Sequence, residues 1–154
     1  MATETLNDFF REKRAKSTAA SANGAIDWGR RKRELVEHLD ELYKTIEQYL
    51  SQSIRDGSVS VSYSTQQITE DYIGTYEVRE MLLQVGDEKV TFSPKGRNIA
   101  GAGGRVDMRG PLGDRTLLVQ NGKWSIIMSR TPTPKLVPLD PDSLLMALQG
   151  VMTP

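Results

Sequence analysis

The lone histidine, His38, has Glu34 four residues before it and Glu41 three residues after it. On a helix this spacing sets three potential metal ligands along one face. Imidazole and carboxylate together suit a zinc or carboxylate-bridged centre, but such centres draw their ligands from several elements. The trio borders an apolar stripe, where charged residues ordinarily flank a packing seam, so no metal is expected. With one His and no Cys in 154 residues, any histidine-dependent triad would rest on His38 alone, and disulfides and thiolate chemistry are excluded. Paired acids such as Glu70-Asp71 and Glu77/Glu80 act as general acid and base only in a cleft that separates their pKa values.

Cations form the sharper pattern. Arg30, Arg31, Lys32 and Arg33 fall in the first turns of an expected helix, where the macrodipole disfavours positive charge by a few tenths of a kcal/mol each. With Arg11, Lys13, Arg14 and Lys16 they make a basic arm able to touch phosphates. The ordinary alternative is a solvated collar paired with nearby acids. Farther on, Gly101-Ala102-Gly103-Gly104-Arg105 is glycine-rich, but a phosphate loop needs a helix after it and a Lys-Ser/Thr pair. Here an alternating segment follows, which reads as a glycine-kinked strand. Arg97, Arg105, Arg109 and Arg115 are the residues that would line an anion-binding edge near it.

These residues are carried by a chain whose hydrophobic period changes at Gly57. Before it, Leu35, Val36, Leu39, Leu42, Tyr43, Ile46, Tyr49 and Leu50 recur at helical spacing. In heptad terms Trp28, Leu35, Leu42 and Tyr49 fall at d, Leu39 and Ile46 at a, and Val36, Tyr43 and Leu50 at e. A three-in-seven stripe suits a helix packed on a sheet or in a small bundle rather than a two-stranded coil. Asp27 is the expected cap, and Arg55-Asp56-Gly57 the stop, giving a helix over about 28–55.

After Gly57, period-two segments predict strands near 58–64, 74–85, 88–93, 96–101, 104–109, 114–120 and 123–129. Asn121-Gly122 signals a type I′ hairpin and Gly86-Asp87 a type II′ one. Tyr76 and Val78 have the opposite parity to Met81, Leu83 and Val85, which predicts a bulge at Arg79-Glu80. The proline-rich run 131–138 reads as an extended strap, since proline lacks a ladder donor. Asp140-Pro141 opens a last helix, docked by Leu144, Leu145, Leu148 and Val151 and ended by Gly150.

The chain has twenty basic and twenty acidic residues, unevenly placed. Residues 1–33 carry eight Lys or Arg against four Asp or Glu, whereas 34–56 carry six acids against two bases. No global field draws the protein to nucleic acid or membrane, but the dipolar distribution can steer a partner. The amino terminus lacks the apolar core of a signal peptide, no stretch approaches a membrane span, and a cytoplasmic location is expected.

The expected architecture is α+β: a long amphipathic helix packed on a mainly antiparallel six- or seven-stranded meander sheet or half-barrel, with a short C-terminal helix. Residues 1–26 form a flexible basic arm and 27–154 a single domain. The functional expectation is a non-enzymatic protein-interaction or assembly module, in which the arm and the long helix engage a protein partner or a second copy. The alternative is a phosphate-directed binder, for nucleic acid or an acidic ligand, acting through Arg30, Arg31, Lys32, Arg33, Arg97, Arg105, Arg109 and Arg115. Neither reading calls for a cofactor.

Overall fold

The computed structural model describes residues 28–70, 74–96, 103–129 and 135–154. Helix α1 spans Trp28–Tyr49 and a short α2 spans Ser51–Arg55. Leu50 separates them, with φ −99° and ψ 7°, yet Leu50 N–H still donates to the Ile46 carbonyl at 3.0 Å and Ile54 N–H to that of Leu50 at 2.9 Å. The two helices therefore follow each other with one relaxed residue between them, close to the continuous helix expected. Gly57, at φ +84°, takes the left-handed conformation that ends helices. Asp27 and the arm lie outside the described residues.

Seven strands follow: β1 Ser60–Glu70, β2 Gly74–Val85, β3 Glu88–Gly96, β4 Gly104–Gly110, β5 Gly113–Gln120, β6 Lys123–Ser129 and β7 Lys135–Pro138. They pair antiparallel in sequence order, an open meander whose edges are β1 and β7. Asn121 (φ 52°) and Gly122 (φ 75°) hold the predicted type I′ geometry between β5 and β6. Of the expected strand at 96–101 only Gly96, the last residue of β3, is described; the rest lies outside the described residues. The strap 131–138 keeps its extended form in part. Residues 135–138 add to β6 as an edge strand, where the ring of Pro138 sits at the last position.

One face of the sheet carries Met81, Leu83, Val90, Phe92, Val106, Met108, Leu117, Val119, Trp124 and Ile126, all buried. Cross-strand register makes them a continuous ladder: Leu83↔Val90, Phe92↔Met108, Val106↔Leu117 and Leu117↔Ile126. Against it α1 sets Leu35, Leu39, Leu42, Tyr43 and Ile46, none more than 2% exposed. The ridge that governed the sequence reading is thus sequestered by strands of the same chain. Tyr49, at its end, turns outward and is 37% exposed. Hydrogen bonds to main-chain carbonyls help fix the helix to the sheet. Tyr43 O–H donates to the Arg79 carbonyl at 2.6 Å, and the Trp124 indole N–H donates to the His38 carbonyl at 3.1 Å.

The predicted bulge at Arg79-Glu80 is absent from the β1–β2 pairing, whose register runs unbroken from Ser60↔Gln84 to Glu70↔Gly74. Burial nevertheless changes face along β2, from Tyr76 and Val78 to Met81 and Leu83. The first half of β2 pairs with β1 alone, because the β3 ladder starts at Met81. A two-stranded ribbon twists more than a sheet interior, and that twist turns its other face, with Ile68 opposite Tyr76, toward the core.

Helix α3, Pro141–Val151, starts with a reciprocal cap: Asp140 accepts from Ser143 N–H at 2.7 Å, and the Ser143 hydroxyl accepts from Asp140 N–H at 2.9 Å. Leu144, Ala147 and Val151 dock it on the sheet, as predicted for Leu144 and Val151, whereas Leu145 stays 53% exposed. Its C-terminal end meets the β4–β5 hairpin, where Leu112 N–H donates to the Val151 carbonyl at 2.8 Å. Thr153 N–H then donates to Glu88 at 2.8 Å, which holds the Glu88 carboxyl below its ordinary pKa. No helix of the described residues is long and apolar enough to cross a membrane.

Candidate functional site

The cations singled out in the sequence are spread over the molecule. Arg30 to Arg33 lie on the first turns of α1, as expected, with no acid in that turn. Arg30 Nε pairs with Glu34 at 3.2 Å, an exposed i,i+4 contact of the kind that stabilises a helix only slightly. Arg31 and Lys32 are half-buried and Arg33 is exposed. Arg105 is engaged by Asp107 through two contacts, Nε–Oδ1 at 2.8 Å and Nη2–Oδ2 at 3.3 Å. Arg109 lines an open depression of 580 Å³ with Lys89, Asp87 and Glu88, where acids offset the bases.

Arg115 sits on the opposite face. Its register with Met108, against that of Arg105 with Leu118, places it on the helix-covered side of the sheet. There its guanidinium packs over Gly150 of α3, and Nη1 donates to the Asp114 carbonyl at 2.9 Å. Arg97 lies outside the described residues. The structure thus does not gather Arg105, Arg109 and Arg115 into one edge.

His38 and its flanking acids fare similarly. Glu34 is turned to Arg30, and no group of three or more His, Asp or Glu among the described residues is placed to hold a metal. Gly103 N–H donates to the Val119 carbonyl at 2.6 Å and Gly104 begins β4, so a strand follows the glycine-rich run, as expected. Of the paired acids, Glu70 accepts from the Tyr76 hydroxyl in a buried contact, and Glu80 accepts from Ser93 at 3.0 Å. Glu77 and Glu80 differ in strand parity and point to opposite sides of β2.

What sequence spacing did not reveal is a cluster where α1 crosses the β1–β2 ribbon. The Arg79 guanidinium lies 4.5 Å from the Tyr63 ring centre and 5.8 Å from that of Tyr43, and pairs with Asp40 at 2.8 Å. Tyr63 O–H donates to Glu47 at 2.7 Å. Burial, chiefly, raises the pKa of both phenols far above the ordinary value; for Tyr63 the Glu47 carboxylate adds to this, while the Arg79 charge opposes it in both. Beside this cluster a groove of 270 Å³ is lined by Val36, Leu39, Asp40, Thr65, Glu77, Val78 and Arg79. The contributing residues lie between 36 and 79 in sequence, on three elements, so no local motif announces them.

The other feature that spacing understated is the length of β1, expected to stop near residue 64 but continuing to Glu70. As an edge strand it presents eleven residues, and Ser60, Ser62, Tyr63, Ser64, Thr65, Gln67 and Thr69 are exposed along it. Its Ser/Thr/Gln composition and lack of Lys, Arg and Pro were legible, but no hydrophobic alternation marked its second half.

Comparison of the chain with family models, with curated proteins and with solved structures finds no match.

Proposed function

We propose that this chain is a non-enzymatic protein-interaction or assembly module, with the helix–sheet body as scaffold and a partner chain received at the open edge β1. The observation that carries this reading is the contrast between the two sheet edges. β7 has four residues, starts with Lys135 and ends with Pro138, features that discourage strand addition. β1 has eleven, with Glu70 its one charged residue and no proline or bulge, and its unpaired edge offers backbone donors and acceptors to an added strand.

The apolar ridge of α1 supports the scaffold role, since it is spent on the core and leaves the helix a polar outer face. In this reading the basic arm, residues 1–26, assists by steering an acidic partner, and the long helix contributes that polar face. A cytoplasmic location belongs to the same proposal and suits a cysteine-free chain.

The test is affinity capture from a lysate of the native host on the full-length protein and on a Ser62→Lys/Ser64→Lys variant. Both positions are exposed, so the fold is retained, which circular dichroism checks. A protein, foreign or the chain itself, that is retained by the wild type and lost on the variant is the expected result. The same retained set on both contradicts the proposal.

A further inference from the structure

We infer that the strand received at β1 is the β1 of a second copy, paired antiparallel about a two-fold axis through Ser64, so that two seven-stranded sheets become one. The inference rests on the interaction-module reading above and names its partner.

Symmetry restricts the register. A two-fold axis normal to a sheet leaves each residue on its own face, and directly opposed residues of an antiparallel pair share a face. Opposed residues must therefore have the same parity, and one residue must face its own copy. Centring on Ser64 pairs Ser60 with Ile68, Val61 with Gln67, Ser62 with Gln66 and Tyr63 with Thr65. None of these carries a charge, so no like charges meet across the axis. Glu70 falls opposite Ser58, beyond the end of the strand. Moving the centre to Thr65 would bring Glu70 into the ladder opposite Ser60.

The two faces of this junction are also matched. On the side away from α1, Ser62 and Ser64 supply hydroxyl groups that can bond across the axis, while the Gln66 amide is held within its own copy by the Pro94 carbonyl at 2.9 Å and the Ser93 hydroxyl at 3.3 Å. On the α1 side, Thr65 lines the 270 Å³ groove, and the register sets Tyr63 of the second copy directly beside Thr65. Tyr63 is 36% exposed and held by Glu47 and Arg79 of its own copy, which fixes its ring on the α1 side of the edge. The two-fold axis repeats this contact, with a half-exposed aromatic and a recess exchanged between copies. Both copies place α1 on the same side of the joined sheet. Backbone hydrogen bonds outside the sheet and helix ladders include, among the described residues, none to 60–69, so no described residue occupies that edge.

The absence of cysteine makes the register measurable. Single-cysteine variants of the full-length protein, Ser60→Cys, Ser62→Cys, Ser64→Cys and, on the opposite edge, Leu136→Cys, are oxidised mildly and resolved without reductant. A disulfide needs Cβ atoms roughly 4 Å apart, and directly opposed residues, about 4.5–5.5 Å apart, come nearest to this at residue 64, so Ser64→Cys is expected to form dimer at least about tenfold faster than Ser60→Cys or Leu136→Cys. Light scattering of the unmodified chain is expected to give twice 17.2 kDa, falling to 17.2 kDa in Ser62→Lys/Ser64→Lys. A wild-type monomer at all concentrations, or fastest crosslinking at Leu136→Cys, overturns the inference. If a foreign protein is then still captured by the wild type and lost on the lysine variant, the interaction-module reading stands and only the second copy falls. Should Ser64→Cys fail to fold, the wild-type mass decides.

Discussion

Two glycines, Gly110 of β4 and Gly150 of α3, lie where α3 meets the sheet, and a methyl group at each would strike something different. A Cβ on Gly110 would lie 2.5 Å from the Val151 carbonyl oxygen and 2.9 Å from its Cγ2, a backbone and a buried side chain that have no room to retreat. Gly110→Ala is expected to cost about 1–3 kcal/mol, as overpacking does, seen as a lower midpoint in denaturant. At Gly150 the clash is with the tip of Arg115, which can swing away, and alanine in a helix recovers about 0.5–1 kcal/mol of backbone entropy. Gly150→Ala is therefore expected to change stability by less than Gly110→Ala in the same measurement, and an equal loss would contradict the geometry.

Tyr43 gives the residue scale its pH dependence. Its folded pKa, and that of Tyr63, are raised by burial above the ordinary value of 10.0, so the neutral phenols stabilise the fold fully below about pH 10. That contribution is lost as pH rises above 10, where the unfolded chain ionises first. Thermal midpoints should fall above pH 10, and tyrosinate absorbance should lag behind that of free tyrosine. Tyr43→Phe removes the bond to the Arg79 carbonyl and is expected to cost about 1 kcal/mol at pH 8, while making the alkaline decline shallower. A decline as steep as that of the wild type contradicts the assignment. At this scale the sequence showed which residues could do chemistry, but not which would converge. Arg105 and Arg115 lie ten residues apart, and only the pairing register reveals that they face opposite ways.

Among the elements, α1 is tied to the sheet through its buried apolar ridge. Leu42 is fully buried between it and the strands. Leu42→Ala should cost about 2–5 kcal/mol, whereas Leu42→Asp sets an unpaired carboxylate in the core and should abolish the cooperative thermal transition at neutral pH. A retained native transition in Leu42→Asp would contradict the packing. Elements were also where the sequence was most legible. The 3.6-residue stripe of α1, the Asn121-Gly122 turn and the Asp140-Pro141 start each rest on local physics that tertiary structure did not override. Two details failed for non-local reasons. The parity change in β2 comes from ribbon twist, which depends on where β3 begins to pair, and not from an inserted residue. The second half of β1 is polar apart from Ile68, so periodicity carried no signal, and pairing with β2 is what makes it a strand.

For the molecule as a whole, the two edges of an open meander divide the surface into a guarded side and an available one. β7 is short, ends in proline and is covered at that end by the Asp140 cap region, where Ser143 donates to the Pro138 carbonyl at 2.8 Å. β1 is long and carries a single charge, Glu70, and centring two copies on Ser64 opposes no charges within the strand. The sheet order and the single core make these edges rigid platforms, so assembly at β1 needs little reordering of the body. Native-state hydrogen exchange on the full-length chain, followed residue by residue across a range of protein concentrations, tests this most directly. The amides of residues 60–69 that point away from β2 should become more protected as concentration rises, while those of 135–138 stay unchanged. Fast exchange of the β1 edge at every concentration, with no shift toward protection, would contradict the account.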